Sequence, residues 1–467
     1  MTDYDLIVIG AGAVGENVAD YAHKRGLSVA IVEAELVGGE CSYWACMPSK
    51  ALLRSGHALE AAKRLDGAAQ AVTGTLDAAH VLARRNSFTS DWKDDGQVSW
   101  LESADIALLR GHARITGEKT IEVGGESHSA RAAVAVVTGS LHTLPDVPGL
   151  AEAQPWGTRE ATSAQEVPES LLVIGGGVSG SELATAWASL GAKVTLVARH
   201  GLLGGMEPFA GELVADALRA RGVDVRTGVN PVRVDRDEHG LVTTTLDDGS
   251  TVVTSEVLAA TGRRAHTADL GLETVGLEPG AWLDVDDTML VHGTDWLYAV
   301  GDVNHRVLLT HQGKYQARAA GEAIAARFQG TPLHTEPWGA HVATADHAAA
   351  PQVTFTDPEV ASVGLTEAKA REQGIDVRTV EYELGNVAGA ALQADGYAGR
   401  ANLVVDESRG VVVGATFVGQ DVAEMLHAAT IAVVGEVPID RLWHAVPAYP
   451  TMNEVWLRLL ETYGRPE

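Results

Sequence analysis

An α/β chain with two Rossmann-like dinucleotide-binding domains is predicted by three observations. A glycine-rich G-x-G-x-x-G turn occurs at Gly10, Gly12 and Gly15. It recurs at Gly175, Gly177 and Gly180. Each copy follows a short apolar strand and leads into a helix-compatible stretch and a second strand, which is the order a dinucleotide site requires.

In the first copy, Asp5 to Ile9 is the strand. The helical stretch runs from about Val14 to Lys24 and stops at Gly26, and Ser28 to Val32 is the second strand, ending in Glu33. The first glycine makes the turn, the second lets backbone approach a pyrophosphate, and the third lets helix pack on strand. The helix N-terminus then offers partial positive charge to phosphate, and Glu33 is placed to accept hydrogen bonds from a ribose. A tight structural turn is the plainer reading of a lone glycine pattern. Having strand, helix, second strand and acid all in register weighs against it.

In the second copy, Ser170 to Ile174 is the strand, Ser179 to Leu190 the helix and Lys193 to Val197 the second strand. Where an acid would end that strand stand Ala198, Arg199 and His200. An acid favours a free 2'-hydroxyl and a cation favours a 2'-phosphate. The expected nucleotide is therefore NADPH, with NADH as the alternative if Arg199 is only a solvated surface residue.

The length of 467 residues suggests two to four domains. With 46% apolar residues, 21% charged residues and 51 glycines, the composition is that of an ordinary globular protein. Large cores need no disulfide staples at this length. The formal net charge of -27 opposes phosphate backbones and anionic membrane surfaces, so no nucleic-acid or membrane partner is expected. An anionic cofactor must then be met by local donors. No run of about 18 apolar residues suggests a membrane span. The N-terminus runs straight into a strand pattern with no basic segment, so no signal peptide is expected. Two cysteines fit a reducing compartment, and cytoplasm is the expected location.

Those two are Cys41 and Cys46, in Gly38-Gly39-Glu40-Cys41-Ser42-Tyr43-Trp44-Ala45-Cys46-Met47-Pro48-Ser49-Lys50. Their spacing does not suit zinc and no His cluster completes a tetrahedral set, so no metal site is expected. Five residues of regular helix rise about 7.5 Å, more than the roughly 4.4–6.8 Å between disulfide Cα atoms. A bridge here therefore requires an irregular turn. Pro48 suits a first helical turn, which places a helix start near Cys46 with both sulfurs at its N-terminal end, where thiol pKa falls. Two inert buried cysteines are the plain alternative.

Further segments complete a pattern: Thr138-Gly139-Ser140, Ala260-Thr261-Gly262-Arg263-Arg264, Tyr298-Ala299-Val300-Gly301-Asp302, and Phe355-Thr356-Asp357-Pro358-Glu359 with Val363-Gly364. Together with both glycine turns and the cysteine segment, they make the chain resemble the pyridine nucleotide–disulfide oxidoreductases over essentially its full length. Glutathione reductase, dihydrolipoamide dehydrogenase and mercuric reductase belong to that family. The resemblance implies an FAD-dependent NAD(P)H oxidoreductase that passes electrons through the Cys41–Cys46 disulfide to a small-molecule acceptor. In it, Cys46 lies against the flavin and Cys41 attacks the acceptor. Lys50 pairs with Glu182 beside the flavin, Asp302 bonds the ribityl chain, and Leu309-Thr310-His311 offers backbone N–H groups to the ring. For His311 only the backbone is expected to matter. Thr138, Gly139 and Gly262 belong to the cofactor-binding turns. The implied architecture is a discontinuous FAD domain (1–147 and 283–340), an NAD(P) domain (148–282) and a C-terminal α+β dimerisation domain (341–467) of a homodimer.

The pattern breaks near the C-terminus. The family's disulfide reductases carry a His-Pro-Thr segment whose His is the acid–base, with a Glu five residues later. Here Tyr449-Pro450-Thr451-Met452-Asn453-Glu454 keeps Glu454 but puts Tyr449 at the His position. A phenol with pKa about 10 is a poor base at neutral pH. His444 is either a substitute or a surface histidine. Mercuric reductases share the tyrosine but add a C-terminal cysteine pair, which the closing Tyr463-Gly464-Arg465-Pro466-Glu467 lacks. A dedicated mercury enzyme is therefore not expected, and the alternative to a disulfide acceptor is a quinone or a metal ion, in a mercuric-reductase-like enzyme without the C-terminal cysteine pair. Tyr43 and Trp44, bulky where relatives are slim, either shape the acceptor pocket or pack internally. Val178 stands where glutathione reductases have a tyrosine lid.

Overall fold

The computed structural model describes residues 2–465; Met1, Pro466 and Glu467, the outermost residues of the expected domains, lie outside the described residues. The chain forms two compact units. One comprises Met1–Pro48, Asn86–Thr143 and Gly262–Asp346, and the other Ser49–Arg85, Leu144–Thr261 and His347–Glu467.

The first unit is built on a seven-stranded sheet. Strand Thr2–Ile9 lies between Val29–Glu33 and Glu126–Val136, parallel to both. Ala107–Arg110 extends the sheet beyond Val29–Glu33, and Leu297–Ala299 joins Glu126–Val136. Leu6, Ile7, Val8, Ala30 and Ile31 are fully buried, as expected of parallel strands covered on both faces. Helix Ala13–Lys24 buries Gly15, Val18, Ala19 and Ala22, and its expected stop is realised by the left-handed Gly26. A short antiparallel pair, Ser140–His142 with Arg263–Ala265, brings two of the motif segments together.

The second unit contains a four-stranded parallel sheet in the order Asp224–Thr227, Lys193–Ala198, Ser170–Ile174, Glu256–Ala259. Helix Val178–Ser189 follows its glycine turn and is buried along most of its length. A three-stranded antiparallel sheet runs Pro231–Arg236, Val242–Leu246, Thr251–Thr254. A five-stranded antiparallel sheet is built from strands between Pro351 and Gly419, and helices Leu426–Val434 and Val455–Tyr463 follow it in the chain. The architecture is mixed α/β with two Rossmann-like nucleotide folds and a C-terminal α+β part. Among the described residues no helix is long and apolar enough to cross a membrane.

Candidate functional site

The two glycine turns divide their labour as their spacing suggests. A Cβ on Gly15 would lie 1.9 Å from the Gly10 carbonyl oxygen, and one on Gly180 2.0 Å from that of Gly175, so packing alone demands the third glycine. The second glycine is different. A Cβ on Gly177 would meet nothing within 4 Å, and one on Gly12 would meet only Gly39 Cα, at 3.8 Å. A side chain at either position would fill only the space in front of the helix. Gly12 and Gly177 are also the N-caps of their helices, and neither helix has a side-chain cap. Each turn thus leaves a concavity at a helix N-terminus, which fits a phosphate.

Glu33 ends its strand with Oε2 accepting from Ala11 N (2.8 Å) and Oε1 from Glu35 N (2.8 Å). Burial raises its carboxyl above the ordinary range, and these backbone bonds oppose the shift. Each oxygen keeps a further lone pair for a ribose hydroxyl. In the second copy Arg199 and His200 are exposed just past Lys193–Ala198, and Arg199 Nε donates weakly to Asn230 Oδ1 (3.4 Å).

Four segments converge around Asp302. Its carboxylate accepts from Ser140 Oγ at 2.5 Å and lies 3.7 Å from Arg263 Nε. Arg263 also donates to Glu40 Oε2 (2.6 Å) and to the Ser140 carbonyl. Burial pushes the Asp302 pKa up, while Ser140 and Arg263 restrain it. The Thr138 hydroxyl donates to the His266 carbonyl (2.7 Å), and Gly139 and Gly262 both have positive φ. The roles of Arg263, Ser140 and Glu40 emerge only from this tertiary arrangement. The signal available for Arg263 was its place in the Ala-Thr-Gly-Arg-Arg turn.

The cysteine segment is irregular, as a bridge between Cys41 and Cys46 requires. Cys41 lies in a short helix, Gly39–Tyr43, that breaks at Trp44 (φ -137°, ψ 2°). Cys46 is the first residue of the next helix, Cys46–Lys63. Both cysteines are present as thiols. Cys46 Sγ lies 3.4 Å from the Oγ1 of Thr310, the first residue of helix Thr310–Gln329. A hydrogen bond with Cys46, then burial, push the Cys41 thiol above its ordinary range, and Thr310 and the Lys314 cation pull it the other way. Two adjacent sulfurs cannot both ionise easily, so a charge on one makes the other hold its proton more tightly. Tyr43 is buried, its hydroxyl donating to the Val37 carbonyl (3.1 Å), and its ring is tilted against Trp44. Tyr43 therefore packs internally.

In the second unit Lys50 Nζ donates to Glu182 Oε2 at 2.7 Å. The Glu182 side chain is only 4% exposed, and its Oε1 accepts from Phe355 N (2.9 Å). Lys50 also stands over the Phe355 ring, 5.1 Å from its centre. Near the C-terminus Tyr449 is 76% exposed and His444 is exposed too. Glu454 is 8% exposed; its Oε1 accepts from Arg458 (2.6 Å), and its Oε2 is buried without a hydrogen-bond partner among the described residues.

Comparison with known proteins matches both parts of this arrangement. The family model described as pyridine nucleotide-disulphide oxidoreductase matches residues 4–326, and the dimerisation domain of the same family matches 350–459. A mercuric reductase from Staphylococcus aureus is 31% identical, over 97% of this chain and 81% of the relative. A dihydrolipoyl dehydrogenase from Geobacillus stearothermophilus is 30% identical, over 98% of this chain and 95% of the relative. Among solved structures, the Cu(II) complex of the HOCl-induced flavoprotein disulfide reductase RclA from Escherichia coli has the same fold. Its TM-score is 0.84 with 22% identity, over 99% of each chain.

Proposed function

Because the chain belongs to the pyridine nucleotide-disulphide oxidoreductases, flavoenzymes that bind FAD and use NAD(P)H, we propose that Cys41 and Cys46 are its redox pair and that Cys41 passes electrons to a disulfide-type acceptor. The observation that carries this reading is the placement of both thiols at the break between two helices, with Thr310 against Cys46.

When bound, FAD and the nicotinamide nucleotide supply the hydride chemistry. The Gly10–Gly12–Gly15 turn, Glu33, Thr138, Gly139, Asp302 and Thr310 are the groups we assign to FAD. The Gly175–Gly177–Gly180 turn, Gly262, Arg199 and His200 are assigned to NADPH. We carry over the family role of Lys50 and Glu182, an ion pair that offsets negative charge developing on the flavin. The three-domain division at 147, 282 and 340 is proposed on the same resemblance.

In the reduced pair, the Cys41 thiolate attacks one sulfur of the acceptor disulfide. A Cys41–acceptor S–S bond forms and one acceptor thiolate leaves. Cys46 sulfur then attacks Cys41 sulfur, which releases the second thiolate and restores the Cys41–Cys46 disulfide. Solvent protonates the products. Position 449 carries a phenol where the family's disulfide reductases carry an imidazole, so acceptors whose leaving thiol has a low pKa are favoured. A homodimer is supported by the dimerisation-domain match and by the exposed apolar side chains of Ile431, Val434 and Val446 within it.

The test is anaerobic reduction with NADPH and, separately, NADH, following the visible spectrum. A broad long-wavelength band after two electrons identifies a thiolate against oxidised flavin and supports the redox pair. Direct bleaching without that band sinks it. The exposed Tyr449 in place of a histidine favours one second reading, a quinone or metal-ion reductase with accessory cysteines. Under it, Cys41→Ser keeps most acceptor activity; under the disulfide reading, Cys41→Ser abolishes it.

A further inference from the structure

Gln312 and Gln316 lie one turn apart on helix Thr310–Gln329 and so share a face. Both are buried, and both donate from Nε2 to Asp346: Gln312 to Oδ1 (2.9 Å) and Gln316 to Oδ2 (2.8 Å). Arg306 Nε donates to the same Oδ2 (3.0 Å), and Arg306 Nη1 to Asp287 Oδ1 (2.8 Å). The Asp346 side chain is 1% exposed. Burial raises its pKa, while Arg306 and the two amides pull it back. Asp346 lies beyond residue 340, where the proposed FAD domain ends, yet it belongs to the first compact unit.

The other end of the Gln316 amide faces the turn that carries Asp302. Its Oε1 accepts from Gly301 N (2.8 Å) and from Asn304 Nδ2 (2.9 Å). Gly301 immediately precedes Asp302, and Asn304 ends the short helical turn Asp302–Asn304. Asn304 is fixed in its own right, donating to the Ala299 carbonyl (3.0 Å) and accepting from Arg306 N (3.0 Å). A carboxylate only accepts and a backbone N–H only donates, so the amide held between them has one orientation. Asp346 takes its N–H group and leaves Oε1 for Gly301.

We propose that Asp346 is a positioning residue for FAD: acting through Gln316, it holds the Gly301–Asn304 turn in the shape that presents the Asp302 carboxylate to the ribityl chain. Through Gln312 the same carboxylate ties down the first turn of the helix on which Thr310 stands. The inference rests on the assignment of Asp302 to FAD.

The test is the rate at which FAD leaves the holoenzyme on dilution, followed by flavin fluorescence, with circular dichroism as the check on folding. Asp346→Asn lets the Gln316 amide turn over and point its N–H group at the Gly301 N–H, and release is expected to quicken by about 10-fold or more. Adding Gln316→Glu to that variant restores an acceptor toward Gly301 and a carboxylate beside Arg306, and release is expected to return to the wild-type rate. A merely structural loss at 346 is not mended by a second buried change. Release from Asp346→Asn at the wild-type rate, or a double variant no slower than the single one, overturns the proposal. If Asp346→Asn fails to fold, Gln316→Met decides: fast release supports the proposal, and wild-type release overturns it. Asp302→Asn separates the premise. If it releases FAD at the wild-type rate, the assignment of Asp302 fails and the proposal with it; if it releases FAD fast while Asp346→Asn does not, only the proposal fails.

Discussion

Replacing Glu16 with glutamine is expected to remove a pH-dependent weakness from the folded protein. Burial holds the Glu16 carboxyl up at about 7, well above the ordinary carboxylate value near 4.5, against the pull of Lys314. A carboxyl whose pKa is raised by folding leaves stability intact below its unfolded pKa and removes it as pH rises through the folded one. The window therefore runs from about pH 4.5 to about pH 7. The difference of 7 - 4.5 = 2.5 units, at about 1.36 kcal/mol per unit, is about 3 kcal/mol. For a unit of roughly 200 residues, 1 kcal/mol moves the midpoint by roughly 2–4 °C, so the Tm difference at alkaline pH should reach roughly 6–12 °C. Glutamine keeps the shape of the side chain and cannot ionise. The assay is the apparent Tm of FAD-loaded wild type and Glu16→Gln at about pH 5, 7 and 8.5, at one scan rate. The two should coincide at the acid end and diverge with the variant higher at the alkaline end. Glu359, also pushed up to about 7 by burial, is present in both proteins and cancels in the difference. A gap that is constant with pH, or that widens toward acid, refutes the reasoning.

Three further outcomes follow from the site. Gly177→Val adds a Cβ that meets no described residue within 4 Å beyond its own chain neighbours, so the apparent Tm should stay put while the KM for NADPH rises at least ~10-fold, because the added group fills the phosphate concavity. Arg263→Leu removes the group that joins Glu40, Ser140 and Asp302; it should raise the fraction of protein that loses FAD on gel filtration, read from the flavin-to-protein absorbance ratio, and an unchanged ratio counts against a role at the ribityl end. Arg199→Glu should lower the ratio of kcat/KM for NADPH over NADH by about 10-fold or more, since an acid at that strand end prefers a free 2'-hydroxyl; an unaltered ratio makes Arg199 a solvated surface residue.

The two nucleotide folds were legible because their signals are local. Ser170–Ile174 is the strand the sequence indicates, and Ala13–Lys24 and Val178–Ser189 lie within one residue of the expected helix starts. The break at Trp44 was legible too, from helical rise set against disulfide span. Arg263 was not, because its partners at 40, 140 and 302 come from distant segments that only tertiary structure assembles. The same holds for Glu16 and Lys314. Each reads in sequence as a solvated charge on a helix. The close crossing of their two helices follows from Gly313 and Gly321 facing Val14 and Tyr21, and periodicity alone carries no such information.

Tyr449 is the residue through which the acceptor can be argued. It is 76% exposed, in a segment pinned by Gly389, where an added Cβ would lie 2.2 Å from the Thr451 carbonyl carbon. A substitution at 449 should therefore change chemistry without moving the backbone. Tyr449→His supplies an imidazole that titrates near neutral pH. General acid–base assistance is worth about 10²–10⁴-fold when the geometry is right. That assistance matters most when the leaving thiol is basic and least when it leaves readily as a thiolate. So kcat/KM for an alkyl disulfide such as lipoamide or oxidised glutathione should rise by at least ~10-fold, while an aromatic disulfide with an acidic thiol should gain little. Steady-state rates with NADPH on both substrates give the comparison. Equal gains on both would mean that 449 governs binding and not proton transfer. No gain on either, with the reduced spectrum intact, would mean that the segment does not reach the interchange thiol, and the quinone or metal-ion reading would then take precedence.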